Sequence, residues 1–104
     1  MLAQIRLYTI NKGEMDAFLK SFQEVVIPLH ERVGLPILAT WVNRSQNEFI
    51  WVRGFEDQED RERKLKAFRD SPQMADVHSR VADKIAKMEV REVESAFVPS
   101  SVRS

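Results

Sequence analysis

Two segments of the chain alternate in a way that predicts β-strands with two unlike faces. Residues 5–8 and 50–55 alternate between aliphatic residues or glycine and arginine or aromatic residues. Successive side chains of a strand point to opposite sides of a sheet. The aliphatic face should pack against helices, and the other face should line a wetter but still enclosed space, which makes it our candidate site. This arginine-aromatic face carries Arg6, Tyr8, Trp51, Arg53 and Phe55, and the aliphatic face carries Ile5, Leu7, Ile50, Val52 and Gly54.

The remaining residues predict two helical regions and two further strands. Apolar residues recur at steps of three, four and seven between residues 14 and 33, which is typical of a helix with one buried face. Pro28 removes a backbone hydrogen bond from this helix, so we expect a kink near residues 24–28. The predicted strands are residues 3–10, 35–43, 48–55 and 90–98, and the predicted helices are residues 14–33, 58–69 and 72–88, with Gly34 ending the first and residues 70–72 interrupting the second region.

The order strand, helix, strand, strand, helix, strand predicts an α+β, ferredoxin-like βαββαβ fold with an antiparallel four-stranded sheet. Helices cover only one face of such a sheet, so the other stays open unless a second copy covers it. We expect the open face to be the arginine-aromatic one, because two closing sheets would bury Tyr8, Trp51 and Phe55. A symmetric homodimer that forms an α/β barrel is therefore predicted.

Size and charge narrow the classes of function. The 104 residues correspond to one domain, with residues 99–104 expected to fray as a polar tail. Sixteen basic and sixteen acidic residues give a net charge of zero, so no overall field attracts nucleic acid or anionic lipid. The apolar runs are too short to span a membrane, and the chain opens on a strand pattern rather than a signal peptide. The absence of cysteine fits a reducing compartment, and we predict a cytoplasmic protein.

Cofactor motifs are not found in the sequence. No histidine and carboxylate spacing resembles a metal site, and the three glycines form no phosphate-binding or dinucleotide-binding loop. The serines lack the context of a nucleophile elbow. We therefore predict neither a metal nor an organic cofactor.

Three segments, in the same order, resemble the NIPSNAP family. Residues 5–13, IRLYTINKG, resemble the opening "ELRTYTLKPG" of NIPSNAP proteins. Residues 49–57, FIWVRGFED, with Arg61 following, resemble their "FVWLRxFED…R" segment. Residues 71–72, Ser-Pro, resemble the step that follows in the family, although Met74 stands where an aromatic residue is often found.

The resemblance implies the dimeric α/β-barrel superfamily, and with it a closed dimer and a pocket between the helices and the sheet. Relatives by fold include cofactor-free antibiotic-biosynthesis monooxygenases, haem-degrading monooxygenases, muconolactone isomerases and plain ligand binders. NIPSNAP proteins have no settled common chemistry, so the resemblance leaves the ligand open. The Asn, Trp and His set of the haem-degrading enzymes has no match at its motif positions here, so that role is not carried over to Asn43.

Arg6 and Arg53 are the candidate anion clamp. A guanidinium group offers two parallel hydrogen bonds to a carboxylate or another planar anion. The alternative is internal ion pairing, since Glu92 and Glu94 lie on the strand predicted to neighbour the first. Full pairing of both arginines with carboxylates would exclude the clamp.

Aromatic and titratable residues complete the candidate site. Trp41, Trp51 and Phe55 could stack on an aromatic substrate, or they could simply fill the barrel core. The sequence does not decide whether Trp41 points inward. Tyr8 and His30 are the candidate catalytic residues for proton transfer, although a histidine near a helix end is also common for structural reasons.

Two functions remain open at this stage. The first is a homodimer whose pocket handles a small aromatic or carboxylate-bearing metabolite, as a cofactor-independent monooxygenase or isomerase. In that case Tyr8 or His30 would move protons, and the two arginines would stabilise negative charge that develops on the substrate. The second is a dimer that binds a ligand or a partner protein without turnover.

Overall fold

A computed structural model describes residues 1–97 as one four-stranded antiparallel sheet, in the order β2-β3-β1-β4, with helices packed on one face. The strands are β1 (Leu2–Ile10), β2 (Ile37–Asn43), β3 (Glu48–Phe55) and β4 (Ile85–Glu94). The helices are α1 (Met15–Ser21), α2 (Ile27–Val33), α3 (Gln58–Arg69) and α4 (Met74–Arg80), with a π-helical segment (Phe22–Val26) between α1 and α2 and 3-10 turns at Arg44–Gln46 and Ala82–Lys84. The predicted ferredoxin-like fold is confirmed.

The first helical region changes its hydrogen-bonding pattern where the sequence predicts a kink. The backbone N–H of Ile27 donates to the carbonyl of Phe22, five residues earlier, which defines the π-helical segment. Pro28 lies in the first turn of α2, directly after this segment. Gly34 ends α2 in the left-handed conformation, with φ of 72°, which glycine adopts without a steric penalty.

The end of the second helical region differs from the prediction. Ile85 and Met88 continue the apolar spacing of the preceding helix, but they belong to β4, which pairs with β1 along its length. Pairing with β1 satisfies the backbone of residues 85–94, and it overrides the helical spacing. Val98, the predicted last strand residue, and the predicted tail at residues 99–104 lie outside the described residues.

The helices cover the arginine-aromatic face, whereas the sequence analysis expected them on the aliphatic face. Tyr8 and Trp51 are 5% and 3% exposed. The ring of Tyr8 meets Phe18 edge to face, and Trp51 meets Phe22 in the same way, with ring centroids 6.0 and 5.1 Å apart. Alternation divides a strand into two faces but does not say which one meets the helices. The decisive factor is that α1 and the π-helical segment supply aromatic rings that interlock with those of the sheet.

The open face of the sheet is therefore the aliphatic one. Trp41 of β2 lies on it, opposite Ile50, and is 55% exposed. Leu38 and Val93 add further exposed apolar surface at its two edges. None of the helices within residues 1–97 is long and apolar enough to cross a membrane.

Candidate ligand-binding site

A cavity of about 410 Å³ lies between the helices and the sheet. Side chains of the arginine-aromatic face line one side of it, together with residues of β4. The helical regions supply an apolar wall on the other side. The sheet contributes Gln4, Arg6, Tyr8, Trp51, Arg53 and Met88, and the apolar wall includes Phe22, Val26, Leu65, Phe68, Val77 and Val81.

The side-chain amide of Gln4 holds two arginines together in this cavity. Its Oε1 accepts hydrogen bonds from Arg53 Nε at 2.8 Å and from Arg6 Nη1 at 2.9 Å. Its Nε2 donates to Glu92 Oε1 at 2.7 Å, which fixes the orientation of the amide because only the nitrogen carries hydrogens. Gln4 is only 5% exposed, so this arrangement is shielded from bulk water.

Neither of these arginines forms a salt bridge within residues 1–97. Glu92, one of the partners that the sequence allowed for Arg6, is instead bound by Arg61 at 2.7 Å. The hydrogen bond from Arg61 lowers the pKa of Glu92, so this carboxylate stays ionised beside Arg61. Glu94, the other candidate, lies opposite Leu2 at the far end of β1. The internal pairing that would exclude an anion clamp is therefore not present in this part of the chain.

Two further contacts fix the orientation of the Arg6 guanidinium group. Its Nε donates to the hydroxyl oxygen of Tyr8 at 2.8 Å, which leaves the hydrogen of that hydroxyl free to donate to another group. Its Nη2 donates to Met88 Sδ at 3.0 Å. The guanidinium carbons of Arg6 and Arg53 lie 5.8 and 5.1 Å from the ring of Trp51, where cation–π attraction favours the charged form.

His30 occupies a position that its sequence context did not reveal. Its Nδ1 lies 2.7 Å from the carbonyl oxygen of Val26, and its Nε2 lies 3.1 Å from Arg53 Nη1. A carbonyl only accepts and a guanidinium only donates, so His30 is neutral and carries its hydrogen on Nδ1. Burial lowers the pKa of His30 to about 4, and the positive charge of Arg53 acts in the same direction.

This geometry argues against His30 as a general base. Both ring nitrogens are engaged, and the side chain does not line the cavity. His30 instead orients Arg53. Burial and the nearby charge of Arg6 lower the pKa of Arg53 to about 10, which still leaves it protonated at neutral pH.

Two other residues predicted for the site lie elsewhere. Trp41 is on the open face of the sheet, because its register places it opposite Ile50. Phe55 is 1% exposed and packs in a separate apolar cluster with Leu35 and Leu65, beyond the end of the cavity-lining part of β3. Both are aromatic, and neither lines the cavity.

Several lining residues were missed by the sequence reasoning. Gln4 shares its strand face with Arg6 and Tyr8, so alternation alone could have identified it. Met88 was assigned to a helix, and its position opposite Tyr8 became visible only with the strand pairing. Arg61 and Arg69 come from α3, and the sequence analysis assigned neither of them to the site.

The polar groups of the cavity favour one kind of ligand chemistry. Its lining includes four arginines and no carboxylate, and Tyr8 adds a free hydroxyl hydrogen. Gln4 and His78 also line the cavity and can accept hydrogen bonds, but the arginines and Tyr8 are donors, so a group that only accepts, such as a carboxylate or an enolate, matches them. No cluster of three or more histidine, aspartate or glutamate side chains in the described residues is arranged to hold a metal ion.

Comparison with known proteins agrees with the fold. The NIPSNAP family model matches residues 3–97. An uncharacterised NIPSNAP domain protein from Burkholderia xenovorans superposes with a TM-score of 0.84 at 22% identity, over 95% of this chain and 99% of that protein. A NIPSNAP family protein from Agrobacterium tumefaciens gives 0.82 at 18% identity, over 91% and 92%.

A protein that is named for an enzymatic activity has a similar fold. The crystal structure of an antibiotic biosynthesis monooxygenase superposes with a TM-score of 0.69 at 16% identity, over 93% of this chain and 100% of that one. At this identity the likeness shows a shared fold alone. None of the curated proteins matches this chain.

Replacing Gln4 with methionine tests how much the amide stabilises the fold. The change keeps the side-chain length but leaves the buried guanidinium of Arg53 and the half-buried one of Arg6 without their acceptor, so the free energy of unfolding should fall by about 2–3 kcal/mol. Urea unfolding measures the loss. Gln23→Met, at an exposed position, is the control and should stay within about 0.5 kcal/mol of the parent. Equal effects of the two changes would show that the amide holds nothing together.

Stability should also depend on pH through His30. The unfolded chain takes up a proton at this histidine near pH 6.5, whereas the folded chain resists it down to about pH 4. The stabilisation is therefore complete above pH 6.5 and is lost as the pH falls through this window, by up to about 3 kcal/mol. Urea unfolding at several pH values should show a smaller slope for His30→Gln than for the parent. A slope in His30→Gln equal to that of the parent would contradict the assignment.

Proposed function

We propose that this chain, which belongs to the NIPSNAP family, binds a small anionic metabolite with an apolar, largely aromatic body in the cavity between the helices and the sheet. The observation that carries the proposal is that three of the four lining arginines, Arg6, Arg53 and Arg69, form no salt bridge within residues 1–97, and that no carboxylate lines the cavity. An incoming anion would gain Arg6 and Arg53 as partners without having to displace an internal carboxylate. The donated hydrogen of Tyr8 would add a third interaction.

The apolar wall of the cavity supports the proposal that the ligand has an apolar, largely aromatic body. Phe22, Phe68 and the aliphatic residues of α4 would contact the body of the ligand, and the cavity volume suits a small molecule. A ligand seated in this way would place its acidic group against the sheet and its apolar part against the helices. Small aromatic carboxylates are the simplest compounds of that shape.

A catalytic role follows if the bound compound forms an anion during its reaction. We propose a cofactor-independent oxygenation or a proton-transfer isomerisation, in which Arg6 and Arg53 stabilise a developing oxyanion. Tyr8 would exchange the proton, since its hydroxyl hydrogen has no acceptor among residues 1–97. The name of the structurally similar antibiotic biosynthesis monooxygenase supports this class of chemistry by analogy of fold only.

Binding without turnover is the alternative, and one observation favours it. His30, the strongest general base that the sequence offered, has both nitrogens engaged and is held neutral. An arginine pair held in place by Gln4, Tyr8 and His30 suits retention of an anion as well as it suits catalysis.

We also propose that the open face of the sheet pairs with a second copy of this chain. Trp41, Leu38 and Val93 are 55%, 47% and 40% exposed there, beside the aliphatic residues of β1 and β3. A two-fold arrangement of the same patch would bury this apolar surface and leave the cavities on the outer sides of the sheets. The cytoplasmic location inferred from the sequence stays a prediction.

Benzoate and benzamide form a matched pair of probes for the cavity. They have the same size and ring, and only benzoate carries the negative charge. Isothermal titration calorimetry should show benzoate binding at least tenfold tighter than benzamide, because each hydrogen bond to a charged group contributes about 1.5–3 kcal/mol. Equal affinity for the two probes, or no binding of either, would contradict the proposal.

Variants of the arginines complete this experiment. Arg6→Met removes a half-buried guanidinium and should remove most of the preference for benzoate, and Arg53→Lys should weaken it by loss of the two-pronged contact. Arg44→Gln is the charge-matched control, since the exposed side chain of Arg44 binds Asp16 on the surface and does not line the cavity. A similar effect of Arg44→Gln would indicate a general charge effect rather than a clamp.

The dimer is tested by placing a charge on the open face. Ile50→Lys puts an ammonium group opposite Trp41, so light scattering after gel filtration should report a dimer for the parent and a monomer for the variant. Glu62→Lys, on the exposed side of α3, is the control and should remain dimeric. A monomeric parent, or a dimer that persists in a folded Ile50→Lys variant, would contradict this interface.

A further inference from the structure

We propose that Met88 is a site of reversible oxidation by hydroperoxides, and that its oxidation lowers the affinity of the cavity for anions. The inference rests on the proposed anion-binding function. It begins from the contact between Met88 Sδ and Arg6 Nη2, 3.0 Å apart at the edge of the cavity. Met88 is the point at which a chemically modifiable side chain touches the proposed clamp.

Met88 combines accessibility with this contact. It lies on β4, an edge strand of the sheet, and is 47% exposed while also lining the cavity. Met15 is buried among core residues, and the exposed Met1 lies near Gly54 on the open face of the sheet. Met74 lines the cavity but makes no hydrogen bond to an arginine among the described residues.

The arrangement around Arg6 explains why this contact matters. Arg6 Nε is held by Tyr8 and Nη1 is held by Gln4, and both partners are oxygen acceptors. Within the described residues, Nη2 has only the thioether of Met88 as its partner, and a thioether is a weak acceptor. This nitrogen is therefore the part of the guanidinium that an incoming anion takes over at the least cost.

The oxidation step needs only a hydroperoxide as the co-reactant. A lone pair on Met88 Sδ attacks one oxygen of hydrogen peroxide, so that an S–O bond forms while the O–O bond breaks. The sulfur loses two electrons, the departing hydroxide takes the remaining proton to become water, and the product is methionine sulfoxide. Methionine sulfoxide reductases reverse this product to the thioether.

Oxidation would change the competition for Arg6. The sulfoxide carries a polar oxygen in place of an apolar sulfur, and that oxygen is a much stronger acceptor for Nη2. An anion would then have to displace an oxygen that already satisfies the guanidinium group. The cavity should therefore bind anions less tightly, without loss of the fold.

The experiment compares the parent protein with Met88→Leu before and after treatment with hydrogen peroxide. Peptide mass mapping should find one added oxygen on Met88 of the parent, and calorimetry should find benzoate affinity lowered about tenfold, equivalent to about 1.4 kcal/mol. Met88→Leu retains the three other methionines, so it controls for oxidation elsewhere and should bind equally before and after treatment. Methionine sulfoxide reductase should restore the parent.

A second variant tests, without peroxide, whether an acceptor oxygen at position 88 lowers the affinity for benzoate. Met88→Gln supplies a fixed acceptor oxygen at this position and should bind benzoate more weakly than Met88→Leu. Unchanged benzoate affinity in parent protein that carries the sulfoxide at Met88, or failure of Met88 to oxidise, would overturn the inference while leaving the proposed function intact. Failure of the untreated parent to prefer benzoate over benzamide would instead reject the proposed function, and this inference with it.

Discussion

The neutral amide of Gln4 is the interaction on which the arrangement of the cavity depends. A carboxylate at this position would have neutralised Arg6 and Arg53, and an aliphatic side chain would have left their donors unsatisfied under the helices. The amide accepts hydrogen bonds from both arginines and donates one to Glu92, so both polar atoms of the Gln4 side chain have partners. The positive charge of the two arginines is retained, because the amide is neutral. A site for anions is thus specified by an uncharged residue.

Several groups share the cost of keeping that charge away from water. The faces of Trp51 and Phe68 lie 5.1 Å from the guanidinium carbon of Arg53, and neutral His30 accepts one of its N–H groups. Burial disfavours the charged form, yet the pKa of Arg53 stays near 10. The aromatic core and the polar site are therefore one structure, because the same rings that fill the space beneath the helices also support the arginines.

The sequence predicts the order of the elements, the family and the residues of the arginine-aromatic face, because alternation and turn residues act locally. It does not predict which face the helices cover. That outcome depends on how Phe18 and Phe22 fit between the rings of the sheet, a property of three-dimensional packing. Trp41 and Phe55 were assigned to the site by type, and their register and position along the strands place them elsewhere. The bond from Arg53 to His30 joins α2 to β3, 23 residues apart in the chain, and no local sequence pattern indicates it.

The π-helical segment between α1 and α2 has a consequence for how this chain tolerates changes in length. A π-helical turn contains one residue more than the α-helical turn it replaces. Deletion of a single residue within Phe22–Val26 would return the segment to regular α-helix and leave the direction of α2 unchanged. Insertion of one more residue into α1 would instead rotate everything that follows by about 100°. His30 would then turn away from Arg53, although no residue of the cavity had been substituted. The π-helical turn thus allows this helix to lose a residue but not to gain one, and the contact between His30 and Arg53 depends on that difference.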